Sequence, residues 1–91
     1  MANEAQTIQK GKEIGKITHY FNKIGVAVLE LSGSLKVGET IVIAAHGGDF
    51  EQNVDSMQVE HEQVTEAKVG DAVGLKVSQL VKEGDRVYLK G

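Results

Sequence analysis

The stretch from Gly25 to Ile43, GVAVLELSGSLKVGETIVI, limits what this chain can fold into more than any other. Ala27, Leu29 and Leu31 alternate with Val26, Val28 and Glu30, so an extended segment carries one wholly apolar face and a second face ending in a charge. That is the pattern of a half-buried strand. Ser32, Gly33 and Ser34 follow, then a turn gripped by Leu35 and Val37 in which Gly38 supplies the freedom to reverse direction. A second strand is expected from Thr40 to Ala45, paired with the first as a hairpin, with Ile41 and Ile43 meeting Ala27, Leu29 and Leu31. An isolated hairpin is marginal in water, so the other segments must wrap around this one.

They have little material for the task. The chain has 91 residues, enough for one domain and one core. Two Phe and two Tyr are its only Phe, Tyr or Trp residues, so the interior must be built from Val, Ile and Leu, which favour strands. With no cysteine there is no disulfide framework, thiolate nucleophile or cysteine-based zinc site. Thirteen acids against ten bases leave a formal charge of −3, which builds no general attraction to polyphosphate into the surface. Residues 1–12 are polar, with no apolar run of signal-sequence type, and are expected to be a disordered leader before a domain spanning 13–91. No later apolar run reaches membrane-spanning length, and a cytoplasmic protein is expected.

The first strand of that domain is expected over Glu13 to Phe21, with Ile17 and Phe21 inward. Gly15 inside it marks a bulge or the close approach of another backbone. Phe50, Gln52 and Val54 share one face of a later strand, but Met57 and Val59 fall on the opposite parity, which places a kink at Asp55 and Ser56. Glu60 to Lys68 is polar and reads as a loop. Val73, Leu75 and Val77, then Val87 and Leu89, give two further inward faces, the last strand pairing with an early one to remove an exposed edge.

One pattern occurs three times: Lys36-Val37-Gly38-Glu39, Lys68-Val69-Gly70-Asp71 and Lys82-Glu83-Gly84-Asp85. Each puts a glycine and an acid directly before a strand. The glycine takes the special dihedral, and the acid accepts a local backbone hydrogen bond that holds the turn.

In their order along the chain these pieces resemble a known family. Ile14-Gly15-Lys16-Ile17 is followed by Gly25-Val26-Ala27-Val28, then by Leu35-Lys36-Val37-Gly38-Glu39 and Val54-x-Ser56-Met57-Gln58, with Val69-Gly70-Asp71-Ala72-Val73-Gly74-Leu75 and Gly84-Asp85-x-Val87 completing the set. Together they resemble the second domain of the translation GTPases, the β-barrel that follows the nucleotide-binding domain in elongation factor Tu. The wording HYFNKIGVAVLEL is more similar to a C-terminal barrel of the collagenase-like peptidases, and small stand-alone translation-factor-like proteins carry similar sequences. The resemblance implies an all-β fold, a small closed antiparallel barrel of six or seven strands. It also implies contact with ribosomal or transfer RNA or with a companion protein. No nucleotide-binding domain is expected in these residues: Gly11-Lys12-Glu13-Ile14-Gly15-Lys16-Ile17 resembles a phosphate loop but has three residues between its glycines instead of four, and Ile17 where Ser or Thr is needed.

No residue announces catalysis. Glu60, His61 and Glu62 are neighbours on the chain, and extended neighbours point to opposite faces, so they cannot grip one ion together. Asp71 and Asp85 are accounted for by their turns. The chain is therefore expected to be a non-catalytic binding module without cofactor or metal. Its candidate partner-binding residues are His19, Tyr20, Asn22 and Lys23 in the first loop and its flank, with Lys16 behind them, since rings beside cations suit a base or a protein surface. The leading expectation is an RNA or protein contact of translation-factor type; the alternative is a detached, substrate-presenting subunit of a collagenase-like peptidase.

Overall fold

The computed structural model describes residues 10–45 and 47–90. The expected leader falls largely outside these, as does His46. All regular structure among the described residues is β: β1 (Lys10–Phe21), β2 (Val26–Leu31), β3 (Leu35–Lys36), β4 (Thr40–Ala45), β5 (Gly48–Asn53), β6 (Met57–Val59), β7 (Glu62–Val64), β8 (Glu66–Ala67), β9 (Ala72–Lys76) and β10 (Arg86–Lys90). Eight of them form one antiparallel sheet in the order β5-β4-β10-β1-β2-β9-β6-β7, and β3 pairs with β8 as a separate ribbon. The sheet curls about a single aliphatic core of Ile14, Ile17, Ala27, Leu29, Leu31, Leu35, Ile41, Ile43 and their neighbours.

This corrects the expected six- or seven-stranded closed barrel. β5 and β7 are the two edges of the large sheet, and no backbone ladder closes it among the described residues. Two strands arise where a loop was expected, because Glu60 and His61 adopt positive φ, 53° and 68°, and reverse β6 into β7. The expected hairpin of β2 with β4 is also absent. β10 and β1 lie between those strands, and β3 leaves the intervening segment to meet β8. Their apolar faces nonetheless share the core, as the alternation required.

The three Gly-acid turns form as expected and do more than reverse the chain. Glu39, Asp71 and Asp85 donate their backbone N–H to the carbonyls of Lys36, Lys68 and Lys82 at 3.2, 3.0 and 3.1 Å. Their carboxylates accept the N–H of the same three lysines at 2.8, 2.9 and 2.8 Å. Gly38, Gly70 and Gly84 sit at φ 98°, 93° and 94°, the type II position that excludes a side chain at low cost. Each turn then docks on one buried strand residue. The N–H groups of Gly38, Gly70 and Gly84 donate to the carbonyls of Val54, Leu31 and Ile17 at 2.8, 2.9 and 2.7 Å. Val54, Leu31 and Ile17 donate back to the carbonyls of Glu39, Asp71 and Asp85 at 2.9, 3.0 and 2.8 Å. Every docked turn thus extends a ladder by one position and fixes its register: β4 with β5, β9 with β2, and β10 with β1.

β1 starts at Lys10, three residues before the expected Glu13, with Lys10 opposite Lys90. It pairs on both sides, with β10 and β2, and its register slips twice against β10 and once against β2. Such bulges bend and twist a strand, which lets the longest element follow the curl. Gly15 directly follows one bulge, at Ile14, and is itself the close approach: a Cβ there would lie 2.7 Å from the Glu30 carbonyl oxygen. The expected kink between Val54 and Met57 is present as the break between β5 and β6, and it keeps both side chains buried.

Gly15→Ala is expected to lower stability by about 1–3 kcal/mol through this overpacking, and Asp85→Ala by about 1 kcal/mol through loss of the carboxylate that accepts the Lys82 N–H. Urea unfolding of each variant reads both.

Candidate partner-binding site

The candidate residues lie on β1 and the turn into β2, and the bulge at Thr18 decides where they point. Ile17 is opposite Leu29 but His19 is opposite Val28, so Thr18 is the extra residue and alternation changes phase after it. Tyr20 consequently turns inward, half-buried against the core, while Phe21 is 47% exposed. The expectation of an inward Phe21 is corrected for that reason. The bulges nearer the start of β1 have a similar effect: Ile14, which plain alternation from an inward Ile17 would turn outward, is buried as Ile17 is.

The turn after Phe21 is tight. Gly25 and Ile24 donate their N–H groups to the Phe21 carbonyl at 2.9 and 3.2 Å, and Gly25 takes φ 68°. Val77 donates to the Gly25 carbonyl at 2.9 Å, which brings the segment after β9 against this turn. Between them lies an open groove of about 610 Å³, bounded by Tyr20 and Asn22, by Ala45, Gly47 and Gly48, and by the run from Gln79 to Lys82. Leu80 on its wall is 75% exposed, and Ile24, in the turn that follows Asn22, is 60% exposed. His19 stands edge-on to Phe21 with ring centroids 4.3 Å apart, and its Nδ1 is 3.4 Å from the Glu83 carboxylate.

Of the five candidates, Tyr20 and Asn22 line the groove. His19 is near the loop that follows it, through Glu83. Lys23 is exposed in the turn. Lys16 is not part of this site. It sits on the outer surface between Glu30 of β2 and Arg86 of β10. Arg86 in turn bonds Glu13 at 2.7 Å, and that hydrogen bond and charge hold its guanidinium above its ordinary pKa. The basic residues therefore do not converge on one stripe. Sequence reading missed Ile24 and Leu80, whose signal was an aliphatic side chain in a turn and in a polar loop, where nothing internal needs it. Among the described residues, no group of three or more His, Asp or Glu side chains converges as a metal site.

The fold and this end surface define an all-β module with a groove at one end, and its sequence and fold have counterparts among known proteins. An uncharacterized protease of Methanocaldococcus jannaschii is 47% identical over 78 residues, covering 85% of this chain but 19% of that protein. A collagenase of Porphyromonas gingivalis is 34% identical over 77 residues, covering 82% of this chain and 21% of its own length. Crystal structures of the C-terminal domain of a putative U32 peptidase from Geobacillus thermoleovorans superpose with TM-scores of 0.82 and 0.81 at 14% and 15% identity. They cover 88% and 86% of this chain and 93% and 99% of that domain. No family model matches the chain. The chain is thus homologous to a part of these collagenase-like proteases and has the fold of the U32 peptidase C-terminal domain, spanning about one fifth of the length of its curated relatives.

Ile24→Ser and Leu80→Ser are expected to change unfolding stability by less than about 0.5 kcal/mol, whereas Tyr20→Ala, which strips a ring from the core margin, costs about 1–2 kcal/mol. Equal losses in all three would contradict the assignment of Ile24 and Leu80 to a free surface.

Proposed function

We propose that this chain is a non-catalytic accessory module for a collagenase-like peptidase, holding or presenting polypeptide to a separate catalytic part. The observation that carries the reading is the 47% identity spread over 85% of this chain and confined to 19% of the protease. This supports a counterpart of one protease domain, working beside the chemistry that the other four fifths would supply. The groove fits the role: Tyr20, Ala45, Leu80 and Val81 give it apolar lining beside the polar Asn22, Gln79 and Lys82, and exposed Phe21 and Ile24 lie on the chain to either side of Asn22, a composition suited to a protein-binding patch.

The RNA reading has weaker support, because Lys16 is flanked by Glu30 and does not line the groove that Tyr20 and Asn22 share. A likeness of shape to the second barrel of the translation GTPases remains part of the proposal, supported by the Gly-acid turns in their order.

Affinity capture with the tagged chain, with and without RNase, tests it. The expected result is a collagenase-like peptidase chain retained regardless of RNase and lost with the double variant Ile24→Asp, Leu80→Asp. Retention of ribosomes or tRNA that RNase or moderate salt abolishes would overturn it.

A further inference from the structure

Gln52 is the odd member of the apolar face that it shares with Phe50 and Val54. It lies opposite Ile41 in the β4–β5 ladder, so its side chain leaves the edge strand on the core side. From there it crosses to the far side of the curled sheet. Its Nε2 donates to the Lys76 carbonyl at 2.8 Å, and its Oε1 accepts the N–H of Ser78 at 2.9 Å.

That pair of bonds has a recognisable form. In a parallel ladder one residue gives its N–H to the carbonyl before its opposite number and accepts the N–H after it. The Gln52 amide does this around Val77, so a side chain stands in for one residue of a strand running parallel to β9. No strand among the described residues supplies the remainder of it. β6 pairs with β9 only at Gly74 and Val73, leaving the C-terminal half of β9 without a strand neighbour on this side among the described residues. Adjacent strands lie about 4.8 Å apart, whereas here a glutamine side chain and a hydrogen bond together separate β5 from β9. The seam is an open groove of about 580 Å³, walled by Gln52 to Ser56 on one side and Leu75 to Ser78 on the other.

We infer that this seam is a strand-addition site. An extended polypeptide segment displaces the Gln52 amide and pairs in parallel with β9 around Val77, its backbone meeting the Lys76 carbonyl and the Ser78 N–H. The occupant is set by backbone chemistry: it must be extended and carry free amide N–H groups at alternate positions. Such a site recognises polypeptide with little regard to side chains, and Gln52 covers the two polar groups until the segment arrives. This deepens the accessory-module reading by naming what the module would hold, and it rests on that reading only for its purpose. Its test uses this chain alone, so failure of the peptidase capture and failure of this site are separate results.

The probe is a synthetic peptide of four Thr-Val repeats flanked by lysines, with a control in which alternate backbone amides are N-methylated. Backbone and side-chain amide NMR of the full chain follows the titration. The expected result is a shift of Lys76, Val77, Ser78 and the Gln52 side-chain amide with the plain peptide and none with the methylated one. Gln52→Ala should bind about tenfold tighter, since two competing internal bonds are gone. Gln52→Glu, which keeps the acceptor for Ser78 but loses the donor to Lys76, should fall between and serves if the alanine variant does not fold. Equal response to both peptides, a response centred elsewhere, or no response in wild type and variants at millimolar peptide would overturn the inference.

Discussion

At Val54, Leu31 and Ile17 a buried strand residue exchanges both of its backbone hydrogen bonds with a Gly-acid turn, and the rest of the structure depends on these three clamps. Each turn is locked internally by its carboxylate, so it arrives preformed. Each clamp then sets which residue faces which in one strand pair. Register matters because a slip by one residue would turn a whole apolar set toward water. With an aliphatic core and no cysteine, a domain of this size has no covalent means of fixing register. Three copies of one local device do it instead.

The clamps also explain how a sheet without a closing ladder keeps one core. They tie β4, β9 and β10 to β5, β2 and β1, so three adjacent pairs are fixed before the curl is considered. The bulges of β1 supply the bend. Their side effect is to exchange the roles of Tyr20 and Phe21, which puts one ring at the core margin and the other on the surface beside Ile24. The exposed apolar end is therefore a product of the same curvature that encloses the core. Where the curl falls short of closure, a glutamine amide spans the gap, leaving the two features that point toward polypeptide binding.

Much of this was legible from the residues. The turn chemistry of Gly38, Gly70 and Gly84, the kink after Val54 and the inward faces of β9 and β10 all follow from local rules that the tertiary structure leaves intact. What was hidden depends on long-range geometry. Alternation cannot reveal the bulge at Thr18, so Phe21 was placed inward and Tyr20 only half accounted for. Glu60 and His61 have little intrinsic preference for positive φ, so the hairpin they form reads as loop. Ser32 to Ser34 carries the grammar of a hairpin turn, yet β3 leaves there for β8. At the candidate site, Tyr20, Asn22 and His19 were found by their chemistry, while Ile24 and Leu80 were missed because only the structure shows that they stay exposed among the described residues. Lys16 joined the list through nearness in sequence that the sheet does not preserve.

Native-state hydrogen exchange at three glycine amides tests the clamp account most directly. If the docked turns hold the fold, Gly38, Gly70 and Gly84 exchange alongside the slowest strand amides and only through global unfolding, although all three sit in turns near the surface. Exchange at the rate of an ordinary exposed loop, with the strand amides still protected, would contradict it.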